Sequence, residues 1–506
     1  MSGKYFLVIL VLVAGCGYST SGPNPGPDPV LPYACGQDFA LTFQEPFLIM
    51  DRPAQFISFS ADCGSCLTIE ADSGILRLSD LEKRTTLEVD RTVYTAQFTK
   101  DSERVLFFKQ TDQTFELFVA GKQGVFKIDS NLNHTMVQAP DGKSVAYLKD
   151  YDNETYLADL YLARLDVSPP TVEKVAGLVM GSPSFTADGK RLVFLSDPVA
   201  HTQEAPDYTC NWNTAGLRSF SIDAGSLTTV GRDILAWSFL VAADGRRVYA
   251  TTDYDCVDQT RVLRSFSLSG GSGRTLLPET TSSFAPSDML EIPELGFLVN
   301  AMVSYGDDPA DYRSELWATR TDGSGTRMLA ENVMSNMQTC MYFIPYILAA
   351  DNILLYLRRE TYDIMALDLD DRDGWTLSEG AFGLYVNLSP DGRSILHLKS
   401  TDRDGPADLM LTEIASAKQR VLGHNLMSGA GFDWSPSGRR VVFFTDNSAT
   451  GQPRTLHAAA VDSQETYVVA DDVLPGWLWG QDYALHPGGR LIAVQRIGGL
   501  FLQLIP

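Results

Sequence analysis

The sequence is poor in histidine and has no cluster of basic residues. Six histidines stand among 506 residues, and none of them lies in an H-E-x-x-H or comparable metal-ligand pattern. The patterns typical of nucleophile elbows (G-x-S-x-G), P-loops and dinucleotide-binding loops (G-x-G-x-x-G) are also missing. Lysine and arginine number 40 against 63 acidic residues, a formal net charge of −23. Because this charge repels a polyanion, we exclude nucleic acid as a partner. Because the motifs named above are missing, we predict no catalytic residue, metal site or cofactor.

Long apolar runs are missing as well, apart from a short one at the N-terminus. Residues 5–13 follow Lys4 and are too few to span a bilayer comfortably, which is typical of a signal peptide. The run ends in LVAGC, which resembles the bacterial lipobox, where small residues precede an invariant cysteine. The resemblance implies removal of residues 1–15 and acylation of Cys16. It also implies a membrane-anchored protein of the bacterial cell envelope. Because Gly17 follows in place of an acidic residue, it implies the outer membrane. The alternative is an ordinary signal peptide with an incidental cysteine.

Residues 16–34 form the next segment, which is dense in glycine, proline and serine. Such a composition cannot bury a core, so we interpret the segment as a tether between the lipidated cysteine and a folded domain at 35–506. The rest of the chain contains no further apolar run of membrane-spanning length. We therefore expect the membrane to be reached through the lipid anchor alone.

No segment shows a long 3.6-residue apolar period, which disfavours an α-solenoid, but one short phrase recurs. LVFLSD, residues 192–197, follows FTADGKR, and WSPSGRRVVFFTD at 434–446 is nearly the same phrase. Such a recurrence, at roughly 40 to 57 residues, indicates propeller blades or a solenoid. Clear copies begin at Ala139, Thr186, Ala242, Ser389, Ser435 and His486. Weaker ones begin at Thr99 and Ala349, and degraded ones at Ser60 and Glu291.

Each copy has the chemistry of a tight turn between two strands. The aspartate caps the turn through its side chain, and the glycine supplies a positive φ angle. The strand after the turn is apolar at consecutive positions, as a strand covered on both faces can be. Two further strands complete about four in each copy. The turn residues are Asp141, Gly142, Asp188, Gly189, Asp244, Gly245, Asp391, Gly392, Gly438 and Gly489.

The strings SPDGR and WSPSGRR resemble the propeller repeat of the TolB family, a relative of WD-repeat propellers. The resemblance covers nearly the whole chain after the tether, although the repeats leave no room for the separate α/β domain of TolB. It implies an all-β fold, a β-propeller of four-stranded blades. We expect eight blades within a range of seven to ten. The segment FALTFQEPFLIM, residues 39–50, is expected to add a strand to the last blade and close the ring, because an open ring leaves exposed edges.

Six cysteines remain after Cys16, an even number that suggests disulfides in an exported chain. Cys210 and Cys256 occupy corresponding loops of adjacent copies, between the second and third strands, so we predict that they pair. Cys35, Cys63, Cys66 and Cys340 admit three pairings, of which we favour Cys63–Cys66 with Cys35–Cys340. CGSC at 63–66 has the spacing of a redox pair, but no helix is predicted after it, so a structural link is the better interpretation.

Several segments are rich in acidic residues and could be considered as calcium-binding loops. DLDDRDGW at 368–375 has Glu379 in the twelfth position, but Gly374 is seventh where an EF-hand needs glycine sixth, and Arg372 occupies a ligand position. We therefore interpret it as a solvated turn. The loops at 149–154, 304–312 and 400–408 are also acidic and are expected on one face, as ordinary polar loops or as a surface for a cation or a partner. His397 and His486 fall inside the repeat, where a structural role is expected.

The function that we predict is a non-catalytic protein-interaction scaffold, anchored to the membrane, whose partner is an envelope or extracellular protein, a peptide or a glycan. A propeller is a rigid ring with loops on two faces, and the fold alone is compatible with many activities. One alternative is a lyase or hydrolase with a metal or carboxylate site at the channel mouth. Another is a glycan-binding surface protein.

Overall fold

The computed structural model describes most of the chain after the predicted tether. The described residues are 47–504 except for 53, 112–113, 205–208, 237–238, 256–259, 281–288, 305–312, 335–336, 340–341, 345, 372, 382–385, 401–404, 427–430, 436, 446–453, 464, 474–482, 486–490 and 497–498. Within them, helix is limited to the 3-10 turn Ala350–Asn352, and nearly all regular structure is strand. The predicted all-β class is therefore confirmed.

The strands of the first half of the chain are β1 Phe47–Met50, β2 Ala54–Phe59, β3 Ser65–Glu70, β4 Leu76–Asp80, β5 Thr85–Asp90, β6 Val93–Phe98, β7 Val105–Gln110, β8 Phe115–Gly121, β9 Gly124–Gln138, β10 Ser144–Asp152, β11 Leu157–Arg164, β12 Thr171–Phe185, β13 Arg191–Glu204, β14 Thr209–Ser221, β15 Ser226–Leu235, β16 Phe239–Val241, β17 Arg247–Asp255, β18 Thr260–Ser267, β19 Arg274–Thr280 and β20 Leu290–Ile292. They include four long ones, β9, β12, β13 and β14, of 13 to 15 residues.

The strands of the second half are shorter. They are β21 Phe297–Ser304, β22 Arg313–Arg320, β23 Thr326–Ala330, β24 Met337–Thr339, β25 Tyr342–Ile344, β26 Tyr346–Leu348, β27 Ile353–Leu357, β28 Ile364–Asp368, β29 Gly374–Ser378, β30 Val386–Leu388, β31 Ser394–Lys399, β32 Ala407–Glu413, β33 Gln419–Leu426, β34 Phe432–Trp434, β35 Arg440–Phe444, β36 Arg454–Ala460, β37 Thr466–Val473, β38 Tyr483–Leu485, β39 Leu491–Arg496 and β40 Gly499–Leu504.

Consecutive strands form antiparallel sheets of four. Separate sheets of this kind are β2–β5, β16–β19, β20–β23, β26–β29 and β30–β33. A continuous sheet runs from β6 to β15, because β9 and β12 are each long enough to pair with strands of two groups. The first part of β9 pairs with β8 up to Leu132, and the part from Leu132 onwards pairs with β10. The four strands predicted for each copy are therefore present, with two long strands passing from one group into the next.

Hydrophobic clusters join each group of strands to the next one along the chain. Leu67 on β3 packs in one cluster with Phe107 on β7, and Leu162 on β11 packs in another with Phe194 on β13. Sheets that pack face to face in chain order form a β-propeller, in which the first strand of each group lies nearest the axis. The first strands β2 and β6 accordingly contact each other.

The phrase LVFLSD shows why the repeat is apolar at consecutive positions. Residues 192–195 lie on β13 and are completely or almost completely buried. Leu192 and Phe194 pack toward β10 and β11, whereas Val193 and Leu195 pack toward β17. The expectation that this strand is covered on both faces is therefore confirmed.

The repeat turns are built on a hydroxyl that the sequence analysis left without a role. A buried serine or threonine two residues before the aspartate donates a hydrogen bond to its carboxylate, at 2.6 Å in Thr186–Asp188 and in Ser389–Asp391. The aspartate also accepts the backbone N–H two residues further on, such as that of Lys190. These bonds lower the pKa of Asp188, with the Thr186 hydroxyl as the largest cause. These turns share the pattern Ser/Thr-x-Asp followed by glycine, whereas the turns at Asp141 and Asp244 have an alanine, Ala139 or Ala242, in the hydroxyl position.

The glycines of these turns have left-handed backbones. Their φ angles are +70° at Gly142, +69° at Gly189, +63° at Gly245, +71° at Gly392 and +68° at Gly438. Gly489 lies outside the described residues. Each glycine also faces the turn of the preceding group, most closely at Gly142 and Gly392, where an added Cβ would lie 2.7 Å from the backbone nitrogens of Asp101 and Ala350.

The first and last strands of the described chain lie side by side. β1 pairs antiparallel with β40, with Phe47 opposite Leu502. Ile49 and Met50 share a hydrophobic cluster with Leu500 on β40 and with Ile57 and Cys66 of the following sheet. Of the segment expected to supply this strand, residues 39–46 lie outside the described residues.

Two cysteine predictions need correction. Cys63 is disulfide-bonded, but Cys66 is a free thiol that is completely buried on β3. The predicted Cys63–Cys66 link is therefore wrong, because the strand carries Cys66 into the core while Cys63 stays in the turn. Cys210 does not lie in a loop, since β14 already begins at Thr209. Cys16, Cys35, Cys256 and Cys340 lie outside the described residues.

Candidate interaction surface

The longest hairpin of the described chain begins where LVFLSD ends. Asp197 has a φ of +55° and forms a bulge, after which β13 and β14 pair again from Val199↔Thr214 to Glu204↔Thr209. The Arg218 guanidinium, 2.7 Å from the Asp197 carboxylate, lowers the pKa of that carboxyl and anchors the bulge. We call residues 199–214 the long hairpin. In this hairpin, β13 and β14 remain paired beyond Ser196, which is the last residue of β13 that pairs with β12.

The same bulge recurs in the groups before and after. Asp150 and Asp253 also have positive φ angles, +53° and +50°, and the pairing of β10 with β11 and of β17 with β18 shifts at these positions. The Arg264 guanidinium lies 2.6 Å from the Asp253 carboxylate. Three successive groups therefore extend their second strands in the same direction, and the long hairpin extends furthest.

One face of the long hairpin is held against β17. The ring of His201 stacks on that of Trp212 with centroids 5.2 Å apart, and Trp212 meets Tyr254 edge to face at 5.8 Å. Gln203 Nε2 donates to Asp255 Oδ1 at 3.3 Å. Each such aromatic pair contributes about 0.5–1.5 kcal/mol beyond the burial of area. A hairpin held in this way presents its other face in a fixed position.

The opposite face of the long hairpin is exposed and nearly uncharged. Side chains alternate between the two faces along both strands. The residues between those that contact β17 therefore point into solvent. Thr202 Oγ1 donates to Asn211 Oδ1 at 2.9 Å, and Thr209 Oγ1 donates to Glu204 Oε2 at 3.0 Å. The exposed residues of this face are Ala200, Thr202, Glu204, Thr209, Asn211 and Asn213.

The environment of Cys210 bears on its predicted disulfide. Cys210 is disulfide-bonded and lies opposite Gln203, whose side chain reaches Asp255. Asp255 precedes Cys256 in the sequence. The pairing Cys210–Cys256 itself stays a prediction, since Cys256 lies outside the described residues.

A second polar site lies at the inner ends of two groups. Asn387 on β30 donates through Nδ2 to Asp433 Oδ1 on β34 at 3.0 Å. The same oxygen accepts the backbone N–H of Trp434 at 2.8 Å, and Trp434 Nε1 donates to the carbonyl of Asn387 at 3.0 Å. Burial raises the pKa of Asp433 to about 6. β30 and β34 are the first strands of their groups, so this pair lies toward the propeller axis.

The remaining candidate residues show structural contacts. In DLDDRDGW, Asp368 accepts the backbone N–H groups of Asp370 and Asp371 in the turn between β28 and β29. His397 is completely buried and shares a hydrogen bond with Thr412 at 3.0 Å, and burial lowers its pKa to about 4. The described residues contain no group of three or more His, Cys, Asp or Glu side chains arranged to hold a metal ion. Residues 305–312 and 401–404 of the acidic loops, and His486, lie outside that part of the chain.

Comparisons with known proteins show similarity of the fold only. No protein-family model matches the chain, and no curated protein does. Among solved structures, Porphyromonas gingivalis dipeptidyl peptidase 4 is similar at 12% identity over 79% of this chain and 67% of that one, with a TM-score of 0.46. A manganese complex of oligogalacturonate lyase is similar at 13% identity over 71% and 97%, TM-score 0.36. The β-propeller domain of the Trilobed protease from Pyrococcus furiosus is similar at 12% over 62% and 93%, TM-score 0.33.

No helix in the described part of the chain is both long enough and apolar enough to cross a bilayer.

Proposed function

We propose that the protein is an exported, lipid-anchored propeller of the TolB-like kind that acts as a non-catalytic interaction scaffold, with the long hairpin as its binding element. The observation that carries the proposal is the contrast between the two faces of that hairpin. One face is held by Trp212, Tyr254 and a half-cystine, and the described residues of the other face are exposed to solvent. A preorganised, solvent-exposed surface loses little entropy on binding.

The repeat turns, at the other end of the strands from the long hairpin, fit a binding role less well. The repeat turns there are short, and each packs against its neighbour: Ala61 N donates to Ser102 Oγ at 3.0 Å, and Gly142 lies against Asp101. Such turns hold adjacent groups together and vary little in shape. Segments that differ in length and chemistry, as the hairpins beyond the bulges do, are better suited to recognise a partner.

The partner-binding proposal is tested with matched double variants. Thr202→Arg with Asn213→Arg changes the exposed face of the long hairpin, and Ala187→Arg with Ala243→Arg makes the same change at two exposed positions of the repeat turns. We expect the first pair to abolish crosslinks between the protein and an envelope partner in intact cells, and the second pair to preserve them. Loss with both pairs, or with neither, would contradict the assignment of the binding face.

We further propose that the ring is closed and has ten blades. The support is the division of the described strands into ten groups, from β2–β5 to β38–β40, the last of which β1 completes. The pairing of β1 with β40 and the contact between the first strands β2 and β38 agree with closure between the last group and the first. Eight blades, the number favoured by the sequence, would require two groups to lie outside the ring.

Anchoring through Cys16 is a separate part of the proposal, supported by the lipobox resemblance. Cys16→Ala removes the only acylation site that the resemblance implies. We expect this variant to leave the membrane fraction and to keep the thermal stability of the anchored protein.

A further inference from the structure

The first repeat turn differs from the later ones at the position of its glycine. Cys63 follows Asp62 and therefore stands where Gly189 and Gly245 stand in later copies. Its backbone has the same left-handed conformation, with a φ of +66°, and its side chain is completely buried. A residue other than glycine is strained in this conformation, and such strain is retained where the side chain has a specific role. The state of Cys63 indicates that role, because Cys63 is disulfide-bonded.

The other described cysteines do not supply the partner of Cys63. Cys66 is a free thiol. Cys210 is disulfide-bonded but lies on the long hairpin, at the other end of the strands from the repeat turns. A strand of average length separates the two ends by about 17–20 Å, whereas the Cα atoms of a disulfide lie within about 7 Å of each other. The partner is therefore one of the cysteines outside the described residues.

Two of those cysteines adjoin described residues at the end of the strands where the long hairpin lies. Because the repeat turns join first strands to second strands, second and fourth strands end, and first strands begin, at this opposite end. Cys256 directly follows β17, which is a second strand. Cys340 directly follows β24, within the connection that leaves β23 and enters β26 at the same end. Cys16 is the residue proposed to carry the lipid, so Cys35 is left as the partner of Cys63.

The direction of β1 brings the preceding chain to the end where Cys63 lies. β40 is the third strand of its group and runs toward the repeat turns. β1 is antiparallel to β40, with Phe47 opposite Leu502 and Met50 opposite Leu500, so the chain enters β1 from the repeat-turn end. Cys35 lies twelve residues before Phe47. An extended chain of that length spans about 40 Å, which exceeds the width of a four-stranded sheet, about 15 Å.

The orientation of the turn position also favours this partner. In later copies, a Cβ at the glycine position would lie nearest to the turn of the preceding group, such as Pro140 for Gly189 and Thr186 for Gly245. Around the closed ring, the group that precedes the first one is the last one, which β1 completes. Ile49 on β1 accordingly packs in one cluster with Ile57 of the first group. The Cys63 side chain therefore points toward the group from which the N-terminal segment extends.

We propose that Cys63 forms a disulfide with Cys35, in place of the Cys35–Cys340 pair favoured by the sequence. The bond attaches the end of the tether to the first repeat turn. It also closes a covalent loop that contains β1, and it thereby stabilises the pairing of β1 with β40. The proposal rests on the ring closure proposed above. With Cys16 acylated, it places the attachment of the lipid anchor at the end of the propeller opposite the long hairpin.

Non-reducing peptide mapping tests the pairing. The purified full-length protein is equilibrated with reduced and oxidised glutathione, so that the result does not depend on export, and is then alkylated. Cleavage before aspartates separates peptide 28–37, which contains Cys35, from peptide 62–71, which contains Cys63 and Cys66. We expect these peptides to be joined, in the wild-type protein and in Cys66→Ala. Cys63 joined to Cys16, Cys256 or Cys340, or recovered without a protein partner, would overturn the proposal and leave the scaffold role of the long hairpin unaffected.

Two variants separate the effect of the bond from that of the strained backbone. Cys35→Ser removes the disulfide and leaves Cys63 in its left-handed turn, whereas Cys63→Gly removes the disulfide and restores the glycine of the repeat. We expect both variants to melt at a lower temperature than the oxidised wild-type protein, and Cys63→Gly to melt above Cys35→Ser. Cys340→Ser is the matched control and should melt with the wild-type protein. An unchanged melting temperature in Cys35→Ser, or an equal fall in Cys340→Ser, would contradict the pairing.

Discussion

At the scale of single residues, the repeat turn was predictable and its central hydroxyl was not. The recurrence of Asp-Gly identified both the capping aspartate and the glycine with positive φ, because only short, turn-forming residues satisfy that geometry. Ser60, Thr99, Thr186, Ser389 and Ser435 occupy equivalent positions, and an alignment of the copies would have revealed them. Their role appears only in the structure, where a buried hydroxyl needs a partner: an aspartate provides it in four of these turns, and Ser437 provides it for Ser435.

Substitution of the turn glycines should separate backbone strain from steric contact. Gly142 and Gly189 have nearly the same φ, but the nearest atom to an added Cβ is the Asp101 nitrogen at 2.7 Å for Gly142 and a Pro140 carbon at 3.5 Å for Gly189. We expect Gly189→Ala to lower the free energy of unfolding by about 1–2 kcal/mol, the cost of a left-handed alanine. Gly142→Ala should cost about 1–3 kcal/mol more through overpacking. Urea unfolding of both variants measures the difference, and equal losses would show that the turns of adjacent groups do not press on each other.

At the scale of elements, sequence reasoning placed the strands and misjudged the hairpin. The segment after Asp197 was expected to be the polar loop between the second and third strands of its copy. It forms strand because the bulge at Asp197 restores pairing with β14, and because Trp212 and His201 stack across the pair. Contacts with β17, more than 40 residues away, decide the conformation of this segment, and local sequence does not contain them.

The aromatic contacts should control the order of the long hairpin without controlling the fold. Trp212→Ala removes the contacts with His201 and Tyr254, so hydrogen exchange in residues 199–204 is expected to become at least several-fold faster. The global melting temperature should change little, since these side chains are only half-buried. Asn211→Ala, on the exposed face, is the control and should leave exchange at its original rate. Unchanged exchange in Trp212→Ala would show that the disulfide alone holds the hairpin.

At the scale of the whole molecule, the propeller arises from the succession of similar four-stranded sheets. Each sheet has two apolar faces and cannot bury them alone, so each packs between its neighbours. The sheet that contains both ends of the described chain is different, because β1 and β40 pair with each other although they lie at opposite ends of the sequence. The ring closure that we propose would remove edges that could otherwise pair with other chains.

Removal of the first strand should therefore destabilise the entire domain. Deletion of residues 39–50 takes away β1, exposes the edge of β40 and removes Ile49 and Met50 from a core cluster. Each such apolar side chain contributes about 1.5–3 kcal/mol. We expect a large fall in melting temperature, followed by circular dichroism, and increased aggregation. Deletion of residues 17–32 from the predicted tether is the control and should leave the melting temperature unchanged. A similar result for the two deletions would contradict the closing role of β1.

The sequence by itself determined the all-β class, the repeat, the turn chemistry and the strand that is covered on both faces, because these follow from local patterns of a few residues. Tertiary structure decided which cysteine is disulfide-bonded, how far the hairpins extend and which carboxylate bonds to the preceding group. Cys63 and Cys66 have the same residue type three positions apart, yet one is disulfide-bonded and the other is a core thiol. The physical reason is that burial, pairing and electrostatic environment depend on strands that are distant in sequence and adjacent in space.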